Sequence, residues 1–245
     1  MRNTLVLLAL SLSTLCLAQS TPPAPARNMV AMTQVKPDML NEWMDIQKEV
    51  NAVLKKIGVP RRTVLRPVFG NTYEFISISP IENYAQMDNP SRFTKAIGPE
   101  AAARLFEKQR KCITGSRTFV ATSIPDLSTP PDSPAPVTVS SRVRVAPGKA
   151  EDYQNFIKSE ILPLYKKAKA EGKVLGYSVS RRGFGASNSE FTVTTYYSKF
   201  ADLDGGNVLA RMLPQGGAAK VFAKGTGLST TIETVVRRRV ADLSY

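Results

Sequence analysis

The sequence predicts an α+β fold in which two tandem copies of one strand-helix-strand-strand-helix-strand unit lie with their sheets facing each other. Three observations lead to it. First, Glu74–Ser128 recurs without a gap as Glu190–Ser244, an offset of 116 that keeps 14 residues identical, among them Glu74, Phe75, Asp88, Ala102, Phe106, Leu127 and Ser128. Such self-similarity marks a duplicated structural unit. Second, the elements around each copy follow one order. Third, strand alternation gives each half a second sheet face that its own helices cannot cover.

The chain opens with the pattern of a secretory signal over residues 1–18. Arg2 supplies the charge, Leu5–Leu10 the apolar run and Cys16-Leu17-Ala18 the small-x-small cleavage site. The run is too short to span a bilayer. Leu15 stands where a lipoprotein signal carries a small residue, so the exported chain is expected to begin at Gln19 without an acyl group. Residues 19–27, with Thr21-Pro22-Pro23-Ala24-Pro25-Ala26, read as a disordered or extended leader.

Residues 28–124 are the first repeat. Met29–Val35 reads as a strand, and Pro37 opens a helix because its missing N–H costs nothing in the first turn. Leu40, Trp43, Gln47, Val50, Leu54 and Ile57 then follow at three- and four-residue spacing until Gly58. Val64–Phe69 and Tyr73–Ser79 flank Gly70-Asn71 as a hairpin, with Pro80 stopping the second strand. A helical turn at Tyr84–Met87, an alanine-rich helix at Glu100–Lys111 and a strand at Arg117–Ser123 complete the unit.

The proline-rich stretch 125–136 reads as a linker to the second repeat, residues 137–245. There Val137, Val139, Val143 and Val145 alternate with Thr138, Arg142 and Arg144, which is strand periodicity. Ala146-Pro147-Gly148 turns into a helix carrying Tyr153, Phe156, Ile157, Ile161, Leu164 and Ala168. Pro163 is expected to kink that helix by removing one backbone bond. Val174–Arg182 and Phe191–Tyr197 read as strands, Ala218–Lys224 as a helix and Thr230–Val240 as the last strand. Ahead of the hairpin the offset falls to about 110, with Val35-Lys36-Pro37 opposite Val145-Ala146-Pro147, so the second copy carries extra residues where insertions are tolerated.

Each half therefore has the ferredoxin-like order, whose single sheet covers only one face with helices. The repeated Glu-Phe-x-x-x-(Ser/Thr)-x-x-x-x-(Tyr/Phe)-Ala-x-x-Asp stretch and the closing Asp-Leu-Ser, at 126–128 and 242–244, resemble members of the dimeric α+β barrel superfamily. NIPSNAP-like and antibiotic-biosynthesis-monooxygenase-like proteins are the ones in question. The resemblance spans both halves and implies tandem ferredoxin-like repeats forming an intramolecular dimeric α+β barrel. For activity it implies a cofactor-independent oxygenase or isomerase, but no catalytic motif of the family maps onto a residue here, and such folds host unrelated activities.

Composition narrows the chemistry further. Histidine is absent, which excludes Ser-His-Asp and Cys-His nucleophiles, His-based metal sites and a His-ligated haem. No acidic run has the spacing of a calcium loop, so neither a metal nor a cofactor is expected. Cleavage leaves one cysteine, Cys112, hence no internal disulfide framework, and it reads as a small buried apolar residue. The formal charge of +13 falls by one with the loss of Arg2, and the remainder is skewed towards residues 136–245. That skew fits an anionic partner (a phospholipid surface, a polyanion or an acidic small molecule) or a solvated basic surface.

Three motifs give little. Arg182-Gly183-Phe184-Gly185 opens like an RNA-recognition signature but continues with Ala186 and Ser187, in a turn, so no nucleic acid is expected. Gly225-Thr226-Gly227 is too short for a phosphate loop, and Arg237-Arg238-Arg239 alternates between faces of a strand. Strand parity gives more. In the second half one face collects Val137, Val139, Val143, Tyr177, Val179, Phe191, Val193, Ile232 and Val236, which must meet the helices. The other collects Arg142, Arg144, Arg182, Tyr196, Glu233 and Arg237 among serines and threonines, with Glu233 its only acid. The corresponding first-half positions are mainly apolar: Met32, Ile76, Ile78, Phe119 and Ala121. These six polar residues form the candidate ligand site, unless the arginines pair with acids or reach solvent at strand ends. The expected function is binding of a small anionic or aromatic ligand without catalysis. The alternative is an enzyme whose acid-base work falls to Tyr196, Glu233 or an arginine-polarised water. A homo-oligomer or a self-associating scaffold is a third reading.

Overall fold

The computed structural model describes residues 26–88 and 91–245, so the signal at 1–18 and nearly all of the leader lie outside the described residues. Eight strands carry the architecture: β1 (Arg27–Val35), β2 (Thr63–Pro67), β3 (Glu74–Ile81), β4 (Ile113–Ser123), β5 (Val137–Val145), β6 (Gly176–Arg182), β7 (Glu190–Tyr197) and β8 (Ser229–Arg239). They close into one barrel in the order β1-β3-β2-β8-β5-β7-β6-β4, with every neighbouring pair antiparallel. The first four stand as β4-β1-β3-β2 and the last four as β8-β5-β7-β6. The two sheets do more than face each other. Leu65 and Pro67 of β2 pair with Arg239 and Arg237 of β8, and Ala121 and Ser123 of β4 pair with Arg182 and Ser180 of β6. Closure joins the outer strands that facing sheets would leave bare.

The strands differ from the sequence reading where a neighbour overrides local propensity. β3 runs through Pro80 to Ile81, because Asn28 and Arg27 of β1 continue the ladder there while β2 begins only opposite Ile78. A proline is tolerated where one side of a strand has no partner. β4 starts at Ile113 and takes in Gly115, since β1 pairs with it along its whole length.

After a single 3₁₀ turn over Pro37–Met39, α1 (Leu40–Lys56) runs until Gly58, whose φ of 77° reverses the chain. Its buried residues are Trp43, Ile46, Gln47 and Asn51. The inward face is thus rotated from the expected stripe, and it carries two amides. Two helices escaped the sequence reading: α2 (Arg92–Ile97) and, after α3 (Pro99–Lys111), the five-residue α6 (Val208–Met212). Each is nucleated by a capping side chain at equivalent positions, Ser91 accepting from the Thr94 N–H at 3.2 Å and Asn207 from the Leu209 N–H at 2.8 Å. Helix α7 (Gly217–Lys224) leads into β8.

Around Pro163 the helix changes its hydrogen-bond pattern. Between α4 (Ala150–Phe156) and α5 (Leu162–Ala170) the chain widens into a π-helical turn, Ile157–Ile161, and the Leu162 N–H donates to the Ile157 carbonyl five residues back. The wider turn accommodates the proline, which has no N–H for the regular ladder.

The apolar layers are three. Val35, Trp43, Val64, Phe75 and Leu105 pack under α1 and α3, and a larger group including Val137, Val145, Tyr153, Ile161, Tyr177, Val179 and Phe191 packs under α4 and α5. The third fills the barrel beside the first four strands: Val30, Leu65, Ile76, Phe119 and Ala121, with Met32 and Ile78 against them. The repeated motifs now have physical roles. Phe75 meets Trp43 with ring centroids 4.4 Å apart, and Phe191 meets Tyr153 at 5.3 Å. Each Asp-Leu-Ser crosses to the other half. Leu127 is buried among second-half residues and Leu243 among first-half ones. Ser128 Oγ accepts from the Val179 N–H of β6 at 3.0 Å, and Ser244 Oγ from the Val64 N–H of β2 at 2.9 Å. The stretch after Ile124 is consequently fixed: Thr129 exchanges both backbone bonds with Tyr177, and Lys169 Nζ donates to the Pro130 carbonyl at 2.6 Å.

Candidate functional site

On β5 to β8 one alternating set, including Val137, Val143, Tyr177, Val179 and Phe191, faces the helices, so the residues between them face the barrel. Register brings the polar ones together in rows. Thr138 stands between Tyr196 and Arg237, Ser140 between Thr194 and Val235, and Arg142 between Thr192 and Glu233. The hydroxyls pair where they can: Ser140 with Thr194 at 3.0 Å, and Ser178 with the Tyr196 hydroxyl at 2.8 Å. Burial pushes the Tyr196 phenol above its ordinary value, with the Ser178 hydrogen bond opposing. Tyr196 is therefore held neutral and is already hydrogen-bonded.

The arginines divide into those with a carboxylate and those without. Glu190, 5% exposed, accepts from Arg144 Nη2 at 3.0 Å and lies 3.9 Å from Arg182 Nη1. Arg182, 9% exposed, also donates from Nε to Thr192 Oγ1 at 3.1 Å, and its guanidinium sits 4.6 Å from the centre of the Phe119 ring. Burial pulls the Arg182 pKa down. The charge of Arg142 adds to that, Glu190 opposes it, and Arg117 and Arg237 add further. Arg237, 7% exposed, is lowered by burial against the raising influence of Glu74 and Glu233. Four buried polar atoms on β5 and β8 have no hydrogen-bond partner: Thr138 Oγ1 and the Nε atoms of Arg142, Arg237 and Arg239.

The expected site residues thus fall into two groups. Arg142, Arg182 and Arg237 turn to the barrel interior, close enough that the charges of Arg142 and Arg237 both act on Arg182. Arg144 and Glu233 are exposed. Both lie where the barrel opens, because β8 meets β2 only at residues 237–239 and leaves its first half without that neighbour. Ile232, expected under the helices, is 36% exposed for the same reason. Glu233 is not the only acid on the face. Glu190 shares it and takes the firmest ion pair, and its repeat equivalent Glu74 acts on Arg237 from β3. The signal was present, since both glutamates open the repeated Glu-Phe motif. Among the described residues there is no group of three or more His, Cys, Asp or Glu able to hold a metal, and no helix long and apolar enough to cross a membrane. Two surface hollows, of about 370 Å³ beside Glu82 and Arg92 and about 220 Å³ beside Asp126 and Lys158, touch none of the inward arginines.

No family model matches the sequence, and no curated protein matches it either. Solved structures do match the fold. A monooxygenase candidate from Lactobacillus acidophilus NCFM aligns with TM-score 0.58 and 12% identity, over 90% of this chain and 95% of that one. A monooxygenase candidate from Fusobacterium nucleatum aligns with TM-score 0.57 and 11% identity, over 89% and 94%. A mutant chlorite dismutase from Candidatus Nitrospira defluvii aligns with TM-score 0.53 and 10% identity, over 90% and 94%. At such identities the likeness concerns architecture alone: the chain has the fold of the dimeric α+β barrel proteins.

Proposed function

We propose that this chain binds a small anion on the inward face of β5 to β8 and does so without catalysis. The observation that carries the reading is the set of buried polar atoms without partners on β5 and β8, Arg142 Nε, Arg237 Nε, Arg239 Nε and Thr138 Oγ1, while the buried Glu190 is already engaged by Arg144. Buried polar groups without partners are rare and call for a ligand, ion or water. Charge-assisted bonds contribute about 1.5–3 kcal/mol each, so two of them set affinity, and a guanidinium offers them in bidentate form. Phe119 under Arg182 leaves room in the reading for a ligand with an aromatic body.

The enzymatic alternative draws on the fold likeness to monooxygenase candidates. Its acid-base groups are less favourable than the sequence suggested, since Tyr196 is held neutral and Glu233 is exposed. With no histidine in the chain, a His-ligated group is not carried over from any neighbour. The test is Arg142→Ala combined with Arg237→Ala, scored by thermal shift against carboxylates, phosphates and sulfates, with mass spectrometry of co-purified small molecules. Stabilisation of the wild type by an anion that the double variant lacks supports the reading. An equal response in both sinks it, and turnover of an oxidisable substrate that fails in the double variant favours the alternative.

We further read residues 28–124 and 137–245 as two ferredoxin-like copies of the fused, NIPSNAP-like kind, connected by 125–136. The matching strand orders and the reciprocal Leu127 and Leu243 contacts support this. A superposition of the two ranges that fails to align β1 with β5 and α1 with α4 would remove it. Export to the periplasm or medium after cleavage at Ala18 is the matching proposal for localisation. N-terminal sequencing should find Gln19, and a lipid on Cys16 would overturn a soluble product.

A further inference from the structure

A second polar cluster lies under α1, in the half whose barrel interior is apolar. Trp43, Gln47 and Asn51 recur at four-residue spacing, so one face of α1 turns all three towards the sheet, where they are 2, 2 and 7% exposed. Arg62, just ahead of β2 and 6% exposed, donates from Nη1 to Asn51 Oδ1 and from Nη2 to Gln47 Oε1, both at 2.7 Å. Asn51 Nδ2 donates in turn to the Leu243 carbonyl at 3.0 Å, and the backbones of Arg62 and Tyr245 exchange two bonds of 2.9 Å.

Both amide oxygens of this cluster are spent on a cation that forms no ion pair with a carboxylate among the described residues. Burial lowers the Arg62 pKa to about 10, which leaves it charged at neutral pH. Tyr245 does not neutralise it, because burial raises the phenol's own pKa. On the other side of Gln47, two donors have nothing to bond: Gln47 Nε2 and the Trp43 indole Nε1, one helical turn apart. The guanidinium thus has no carboxylate within ion-pair distance among the described residues, and two donors beside it have no acceptor. A water could accept from both donors but would leave the guanidinium uncompensated, and an unpaired buried charge is strongly unfavourable.

We propose that one small monovalent anion of halide size binds beside Arg62, accepting from Trp43 Nε1 and Gln47 Nε2. It is a site of the first half only. At an offset of 110 the equivalent residues are Tyr153, Ile157 and Ile161, buried and apolar apart from one phenol. It shares no residue with the arginine site on β5 to β8, and neither proposal depends on the other.

Trp43 is the only tryptophan in the chain, so its emission reports on the site directly. The probe is sodium bromide replacing sodium gluconate at constant ionic strength. The wild type should show a saturable change in emission and a Tm rise of about 5–10 °C when bromide reaches about 100 times its Kd. Trp43→Phe should lose the Tm rise, and Arg142→Ala with Arg237→Ala should keep it. Gln47→Glu puts a carboxylate where the anion sits, so it should be more stable than wild type in gluconate and insensitive to bromide. This variant decides the matter even if Trp43→Phe folds poorly. Crystals grown in bromide should give an anomalous peak within hydrogen-bond reach of Trp43 Nε1. Non-saturable quenching, a Gln47→Glu variant as bromide-sensitive as wild type, or a water in place of the anomalous peak would each overturn the proposal.

Discussion

Substituting Glu190 by Gln tests whether the arginine face is held together by a carboxylate. Glu190 is 5% exposed and serves two cations of different standing: Arg144, 3.0 Å away with a largely exposed side chain, and Arg182, 3.9 Å away and 9% exposed. Removing one partner of a buried pair costs roughly 3–5 kcal/mol, because the remaining charge stays buried. Gln keeps an acceptor for Arg144, so the lower end applies, about 3 kcal/mol, or a Tm loss of about 6–12 °C for a chain of this size. Arg144→Ala removes only the exposed partner and should cost at most about 1 kcal/mol. Urea denaturation followed by circular dichroism gives both values. The reasoning fails if Glu190→Gln is neutral, or if Arg144→Ala is equally costly. The anion reading adds a second outcome: with one negative charge gone from the face, Glu190→Gln should bind the stabilising anion more tightly than wild type.

Two further outcomes follow from burial. Leu243→Ala and Leu127→Ala remove side chains 0 and 2% exposed, each from a core formed by the opposite half, and should cost about 2–5 kcal/mol apiece in the same denaturation assay. A loss below about 1 kcal/mol for Leu127→Ala would return 125–136 to the status of a passive linker. Burial also pushes the Tyr153 phenol up to about 12 from its ordinary 10. The unfolded chain then releases this proton first, so stability is intact below pH 10 and declines as pH rises to 12, by up to about 2.5 kcal/mol. Tyr153→Phe should flatten that decline in urea midpoints measured at rising alkaline pH, and an unchanged slope would refute the assignment.

Much of this was legible wherever one period dominated. The alternation Val137, Val139, Val143 placed β5 and both of its faces, and the Glu-Phe and Asp-Leu-Ser repeats marked contacts that the fold uses twice. The failures have local causes. Pro80 reads as the end of a strand and Arg117 as the start of one, but β1 pairs with Pro80 and with Gly115, and tertiary pairing outweighs propensity. Of the stripe expected on α1, Leu40, Trp43, Gln47, Val50, Leu54 and Ile57, the structure buries Trp43 and Gln47 and adds Ile46 and Asn51; the two amides are acceptable there because Arg62 and Leu243 bond them. Arg62 itself could not be found from sequence, since it lies outside every repeat and motif. Glu190 is hidden for the opposite reason: as part of a repeated motif it reads as architecture, and its pairing with Arg144 needs the register of β5 on β7.

The two halves place polarity on opposite sides of their sheets. In the first, the helix side carries Gln47, Asn51 and Arg62, and the barrel side is apolar through Val30, Ile76 and Phe119. In the second, the helix side is the largest apolar cluster of the molecule, around Ile157, Ile161, Tyr177 and Phe191, and the barrel side is polar. The exchange is position by position. Met32 corresponds to Arg142 and Ala121 to Arg237, while Gln47 and Asn51 correspond to Ile157 and Ile161. A sheet needs one well-packed apolar face to be stable, and the other is then free to vary. Each half keeps one, so closing the barrel sets an apolar wall from β1 to β4 against a basic wall from β5 to β8. A symmetric pair of identical units could not produce that contrast, because both walls would carry the same residues. Two halves of different sequence in one chain can, and the arginine Nε atoms without a partner, those of Arg142, Arg237 and Arg239, lie on the basic wall.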